Sequence, residues 1–176
     1  MVLAHDTEAA LQAAVALVNS AEKPDTLTTT QQLDDWYTGH RYTGRHDRDR
    51  AELAELRALR PVLRDLLTAG RDRAAELVNA MLADARAVPQ LVRHGDVDWH
   101  LHAVAADAPL ALRVVVETAM AMADLVRTDE LSRLAICSDD NCAAIVLDLT
   151  RNRSRRFCST ICANRNAVAA YRARRR

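Results

Sequence analysis

The sequence predicts a mainly α protein: a helical N-terminal domain over residues 1–134 that carries one small β-hairpin, followed over 135–176 by a small four-cysteine module. Three observations lead there. In 176 residues there are four glycines and four prolines, which disfavours a glycine-looped nucleotide fold or an all-β sandwich and leaves helices as the default. Apolar residues recur at i, i+3, i+4 and i+7 in several windows. All four cysteines lie between Cys137 and Cys162, and none precedes them. At 49% hydrophobic, the chain buries one sizeable core and a small appendage and is not disordered.

Each element follows from its local pattern. Leu11, Ala14, Val15 and Val18 share one face and predict a first helix over 6–19. Pro24 and a run of threonines interrupt the pattern. Gln31 to Tyr37 reads as a short helix carrying Leu33 and Trp36, and Asp49 to Thr68 as a long leucine-rich one ended at Gly70. Pro61 lies inside the long helix and is expected to kink or divide it. A further helix spans Asp72 to Arg86. Between Pro89 and Ala103 the period changes to two, with Val97, Trp99 and Leu101 alternating against Asp98, His100 and His102. That is a strand of a hairpin turning at His94-Gly95, with Trp99 and Leu101 expected inward and the histidines outward. Ala108 to Thr128 is the most apolar helix and the expected centre of the bundle. Arg113, Glu117 and Asp124 interrupt it, so it reads as a buried helix rather than a membrane span.

The cysteines are spaced C-x4-C-x15-C-x3-C. The N-terminus has an acidic, amphipathic pattern with no signal peptide, so a cytoplasmic location is expected, where thiols stay reduced. Two close pairs then suit tetrahedral zinc, with Cys137, Cys142, Cys158 and Cys162 filling all four positions. A complete four-thiolate site leaves no open coordination position, so the metal is expected to be structural. Ile145 to Leu149 is expected to pair with Ser154 to Phe157 across a turn at Arg151-Asn152-Arg153. The second cysteine pair is expected to open a helix over Thr160 to Arg172, giving a treble-clef-like or ribbon-like finger.

The zero formal charge is a cancellation. Residues 1–136 carry 15 basic and 21 acidic groups, whereas 137–176 carry nine and three. From Arg151 onward there are nine arginines and no acidic residue. Guanidinium groups bind phosphates and read guanine edges, and at 100° per residue Arg165, Arg172 and Arg176 form one stripe. These three, with Arg151, Arg153, Arg155 and Arg156, are the candidate contacts to double-stranded DNA, Arg165 and Arg172 foremost. Single-stranded RNA fits less well, because only Phe157 and Tyr171 could stack on bases.

The string RNRSRRFCSTICANR resembles the signature of the CGNR zinc-finger proteins, a bacterial family assigned to transcription regulation. The similarity runs through Asp148, Arg151, Asn152, Ser154, Arg155, Arg156 and Phe157 to Cys158-Ser159, then to Cys162-Ala163-Asn164-Arg165. Ala163 stands in place of the usual Gly, and three rather than four residues separate the last cysteines. More weakly, Leu17-Val18-Asn19-Ser20 and the helical region resemble the ABATE domain. The resemblance implies a helical domain for effector sensing joined to a DNA-binding zinc finger.

Other motifs carry less. His100 and His102, with His94 nearby, could form an H-x-H metal pair, but strand alternation alone places them together. No H-E-x-x-H, G-x-S-x-G or phosphate loop is present, so no enzyme activity is expected. The expected function is a zinc-dependent DNA-binding regulator whose helical domain senses a small-molecule effector, dimerises or does both, without a membrane. The alternative is a protein-interaction module whose basic face docks an acidic protein surface.

Overall fold

The computed structural model describes residues 3–94 and 97–175, with the backbone alone at His94, Val97 and Asp98. Among these are six α-helices and two two-stranded antiparallel sheets. Helix α1 spans His5–Asn19. Helix α2 spans Thr30–Gly39 and opens on a capping box, in which Thr29 accepts from the Gln32 N–H and Gln32 reaches back to Thr29. Helix α3, Arg50–Thr68, is capped by Asp49, which accepts from the Glu52 N–H at 2.8 Å. Pro61 does not divide it: the residue is exposed, where water can satisfy the carbonyl it leaves unpaired. Gly70 caps the start of α4, Arg71–Asp84, rather than ending α3.

Helix α5, Leu110–Arg127, is the centre of the bundle, packed against α1, α3 and α4. Leu11, Leu17, Leu56, Leu63, Leu66, Leu110, Val114, Met122 and Leu125 close the core between these helices. The loop between α2 and α3 is fastened to α5 by Arg113, which donates to the Thr43 and Arg45 carbonyls. Gly44 is obligatory in that loop: its φ is +85°, and a Cβ there would lie 2.3 Å from the Ala106 oxygen.

Strands β1, Gln90–His94, and β2, Val97–His102, form the hairpin, with Leu91 opposite Leu101 and Val92 opposite His100. The expected turn at His94-Gly95 falls partly outside the described residues. The facing of β2 is the reverse of the expectation. Trp99 is 62% and Leu101 41% exposed, while His100 and His102 are half-buried. Alternation determines which residues share a face, not which face turns inward. Here His100 lies near enough to the Glu117 carboxyl of α5 to favour its charged form, a polar partner that an apolar strand face would not supply.

Candidate metal centre and nucleic-acid interface

After α5, a 3-10 turn at Leu131–Arg133 leads into β3, Leu134–Ile136, which pairs with β4, Ile145–Leu147. This corrects the expected ribbon: 145–147 pairs with 134–136, not with 154–157. The physical reason is the first cysteine pair. Cys137 follows β3 directly and Cys142 nearly adjoins β4, so the turn closing the hairpin is the cysteine knuckle. In it the Cys137 N–H donates to the Ala144 oxygen and the Cys142 N–H to the Asp139 oxygen, both at 2.9 Å. The 154–157 segment is held by single bonds instead. Ser138 N–H donates to the Arg156 oxygen at 2.9 Å, and Arg155 N–H donates to the buried Asp148 carboxylate at 2.6 Å.

Strand β4 serves two interiors. Ile145 and Leu147 belong to the helical core, whereas Val146 packs with Cys137, Cys162 and Phe157. All three residues are buried, as period-two alternation requires of a strand between two apolar layers. Helix α6, Thr160–Ala173, then carries the last ligand candidate in its first turn. Ser159 caps it by accepting from the Cys162 N–H at 3.3 Å.

These elements bring Cys137, Cys142, Cys158 and Cys162 together, with their Sγ atoms all within 4.8 Å of one another. Cys158 Sγ lies 3.6 Å from that of Cys142 and 3.7 Å from that of Cys162. Tetrahedral zinc with Zn–S bonds of about 2.3 Å requires S···S edges of about 3.8 Å, whereas a disulfide would need about 2.05 Å. The set therefore fits a four-sulfur metal site. Burial, together with the adjoining Cys142 and Cys162, pushes the Cys158 thiol up to about 12, whereas backbone hydrogen bonds from Cys158 and Asp139 outweigh burial and lower that of Cys137; a bound cation favours the thiolate form.

The seven arginine candidates divide by environment. Arg165 lies 3.3 Å from both carboxylate oxygens of buried Asp139, tying α6 to the knuckle. Arg153 donates to Glu130 at 2.7 Å and to Ser132 at 2.9 Å, and Arg155 donates to the Phe157 and Cys158 carbonyls. Glu130 also holds buried Arg133 at 2.8 Å. Arg151 and Arg172 are exposed, with no ion pair or hydrogen bond from their side chains among the described residues. Arg156 lies over the Phe157 ring. Arg176 is outside the described residues. Arg174 and Arg175 extend the exposed basic end.

The histidine pair brings its Nε2 atoms to 3.0 Å, but no third His, Cys or carboxylate completes a metal-sized group around them among the described residues. His46, in the loop between α2 and α3, is clasped between Glu52 and Asp34, each at 2.7 Å.

Sequence reasoning missed three positions. Asn19 is hydrogen-bonded to both backbone groups of Ile145. Asp139 stands in the knuckle as the partner of Arg165. Tyr42 has a buried hydroxyl near Glu117. Asn19 lies in the Leu17-Val18-Asn19-Ser20 string and Asp139 is one of three acidic residues in the basic module, but nothing in the sequence signalled their partners.

No helix of the described residues is long and apolar enough to cross a membrane. No curated protein matches the chain. Two family models do. Residues 11–129 match ABATE, described as "Putative stress-induced transcription regulator", and residues 133–175 match the CGNR zinc finger. The four-sulfur cluster falls inside the second match and fits one structural zinc. The chain thus belongs to the ABATE family and carries a C-terminal CGNR zinc finger.

Proposed function

We propose that this protein is a zinc-dependent, DNA-binding transcription regulator that acts by binding rather than catalysis. In this reading Cys137, Cys142, Cys158 and Cys162 hold one structural zinc, and the helical domain senses an effector, dimerises or does both. The observation that carries it is α6: a helix anchored through Cys158 and Cys162, exposed on every described side chain from Ala167 onward, and free of acidic residues. Four thiolates and one Zn²⁺ contribute about −2, which leaves the loaded module near +4. Its field suits the phosphate backbone.

Arg151, Arg156, Arg172, Arg174 and Arg175 are the phosphate contacts in this proposal. Arg153, Arg155 and Arg165 shape the module that presents them, because their side chains are already engaged. A groove of about 460 Å³ between Leu3 and Glu8 on one side and Leu149, Arg151 and Arg153 on the other is where an effector would touch both parts at once.

Titration of zinc-loaded protein with genomic DNA fragments at several salt concentrations tests the reading. Five neutralised phosphates give a slope of about −4.5 in log K against log salt. Protein with stoichiometric zinc and no salt-dependent DNA binding overturns it.

A further inference from the structure

Helix α6 has two unlike faces. At about 100° per residue, Ile161, Asn164, Arg165, Val168, Tyr171, Arg172 and Arg175 fall within one arc of about 120°. The opposite side carries Cys162 and a run of alanines. Ile161 is 70%, Val168 48% and Tyr171 53% exposed, and Asn164 is exposed with no side-chain hydrogen bond among the described residues. Beyond Cys162 the helix covers no core, and so short a helix is marginal in water by itself. Large apolar side chains in line with an amide, with arginines beyond them, describe a surface made to be covered.

The stripe is also polar along its length. Its first half, Ile161, Asn164 and Val168, spans about 10 Å of axis and offers no free cation, because Arg165 is held by Asp139. Its second half is cationic, with Arg172 and Arg175. Ser159 and the sulfur cluster fix the first half, whereas the second projects outward.

Resting on the DNA-binding reading, we propose that Ile161, Asn164 and Val168 are the residues that read sequence, and that they select A·T pairs in the major groove. The charge of the module commits the occupant to a polyanion, and the major groove, about 12 Å wide, admits one helix. The N-terminal half of a recognition helix is the part that reaches base edges. A carboxamide pairs with adenine N6 and N7, and aliphatic side chains pack on the thymine methyl. Arg172 and Arg175, farther along, meet phosphates and carry no sequence information.

The test is to select bound duplexes with the zinc-loaded full chain, then titrate wild type, Asn164→Ala, Ile161→Ala and Val168→Ala against the selected duplex and a scrambled one. A selected site containing A·T pairs is expected. Asn164→Ala should weaken binding to it by about 5- to 150-fold, with the scrambled duplex and the salt slope unchanged. Replacing the critical A·T pair by G·C should weaken wild type equally and the variant no further.

DNA binding without sequence preference, or equal losses on both duplexes, overturns this proposal and leaves the DNA-binding reading standing. Absence of DNA binding by wild type overturns both. Zinc content equal to wild type verifies that each variant is folded. If these variants instead change the sedimentation of protein alone, the stripe is a protein interface and the proposal fails.

Discussion

Asn19, the last residue of α1, bonds to Ile145 as a neighbouring strand would: its amide donates to the Ile145 oxygen at 2.8 Å, and its carbonyl accepts from the Ile145 N–H at 2.7 Å. The free edge of β4 is thereby closed by a side chain of the helical domain, while Ile145 itself fills the helical core. Asn19→Ala should cost about 1–3 kcal/mol, because it leaves a buried donor and acceptor unmade. The loss should appear as a lower thermal midpoint and as easier removal of zinc in a chelator titration. Asn19→Asp, which keeps the acceptor and loses the donor, should also destabilise.

Removing the metal should unfold more than the finger. Zinc binding contributes on the order of 10 kcal/mol to a module with so little core of its own, and β4 transmits part of that loss through Ile145 and Leu147. Chelation, or Cys158→Ser, should abolish stoichiometric zinc and lower the unfolding midpoint of the helical circular-dichroism signal. A helical domain with an unchanged midpoint after zinc loss would contradict the shared strand.

Arg165 and Arg172 should fail differently. Arg165→Ala leaves the buried Asp139 carboxylate without its cation. Because the arginine is half exposed, screening limits the cost to about 1–2 kcal/mol, read as lowered thermal stability together with weaker DNA retention. Arg172→Ala touches no internal partner. It should leave stability unchanged within about 0.5 kcal/mol and reduce the salt slope of DNA binding by about 1.

The Glu117 carboxyl makes stability fall as pH rises. Burial raises it to about 7, against the opposing pull of Arg113, the Tyr42 hydroxyl and His100. A folded-state value above the unfolded one means that the native protein holds a proton the unfolded chain has released. This contribution is therefore fully present below about pH 4.5 and lost as pH rises to about 7, on the order of a few kcal/mol. Glu117→Gln should raise the unfolding free energy at pH 8 and change it little at pH 4.5, as measured by urea titration at both values.

The two tryptophans should separate by exposure. Trp36 is 9% and Trp99 62% exposed, so a soluble quencher should extinguish Trp99 fluorescence and spare that of Trp36. Trp99→Ser should cost less than about 0.5 kcal/mol, since the residue covers no core. A larger loss in a monomer would contradict the outward face of β2.

Much of the site was legible in the sequence because its determinants are local. Four soft ligands in two close pairs specify a metal by chemistry and spacing, and α6 follows from an uninterrupted alanine-rich run. The helices of the bundle were likewise readable from the 3.6-residue period. Periodicity does not say against what an element packs. Trp99 and His100 alternate as expected, but only the half-buried carboxyl of Glu117 on α5 decides that the histidine side turns in. Likewise Ile145, Val146 and Leu147 announce a strand, yet its partner is decided by the knuckle closing back on Leu134 to Ile136.

The same division separates the arginines. Their number and the absence of acidic residues after Arg151 are properties of the sequence, and they alone determine that the module carries a positive field. Which of them remain open to a partner is decided by the fold. Asp139, Glu130 and the Phe157 and Cys158 carbonyls engage Arg165, Arg153 and Arg155, and Arg151 and Arg172 are left exposed. Charge is additive along a chain, so the sequence determines it. Pairing depends on distances of a few ångströms between residues up to 26 positions apart, such as Asp139 and Arg165, and only the tertiary structure brings them together.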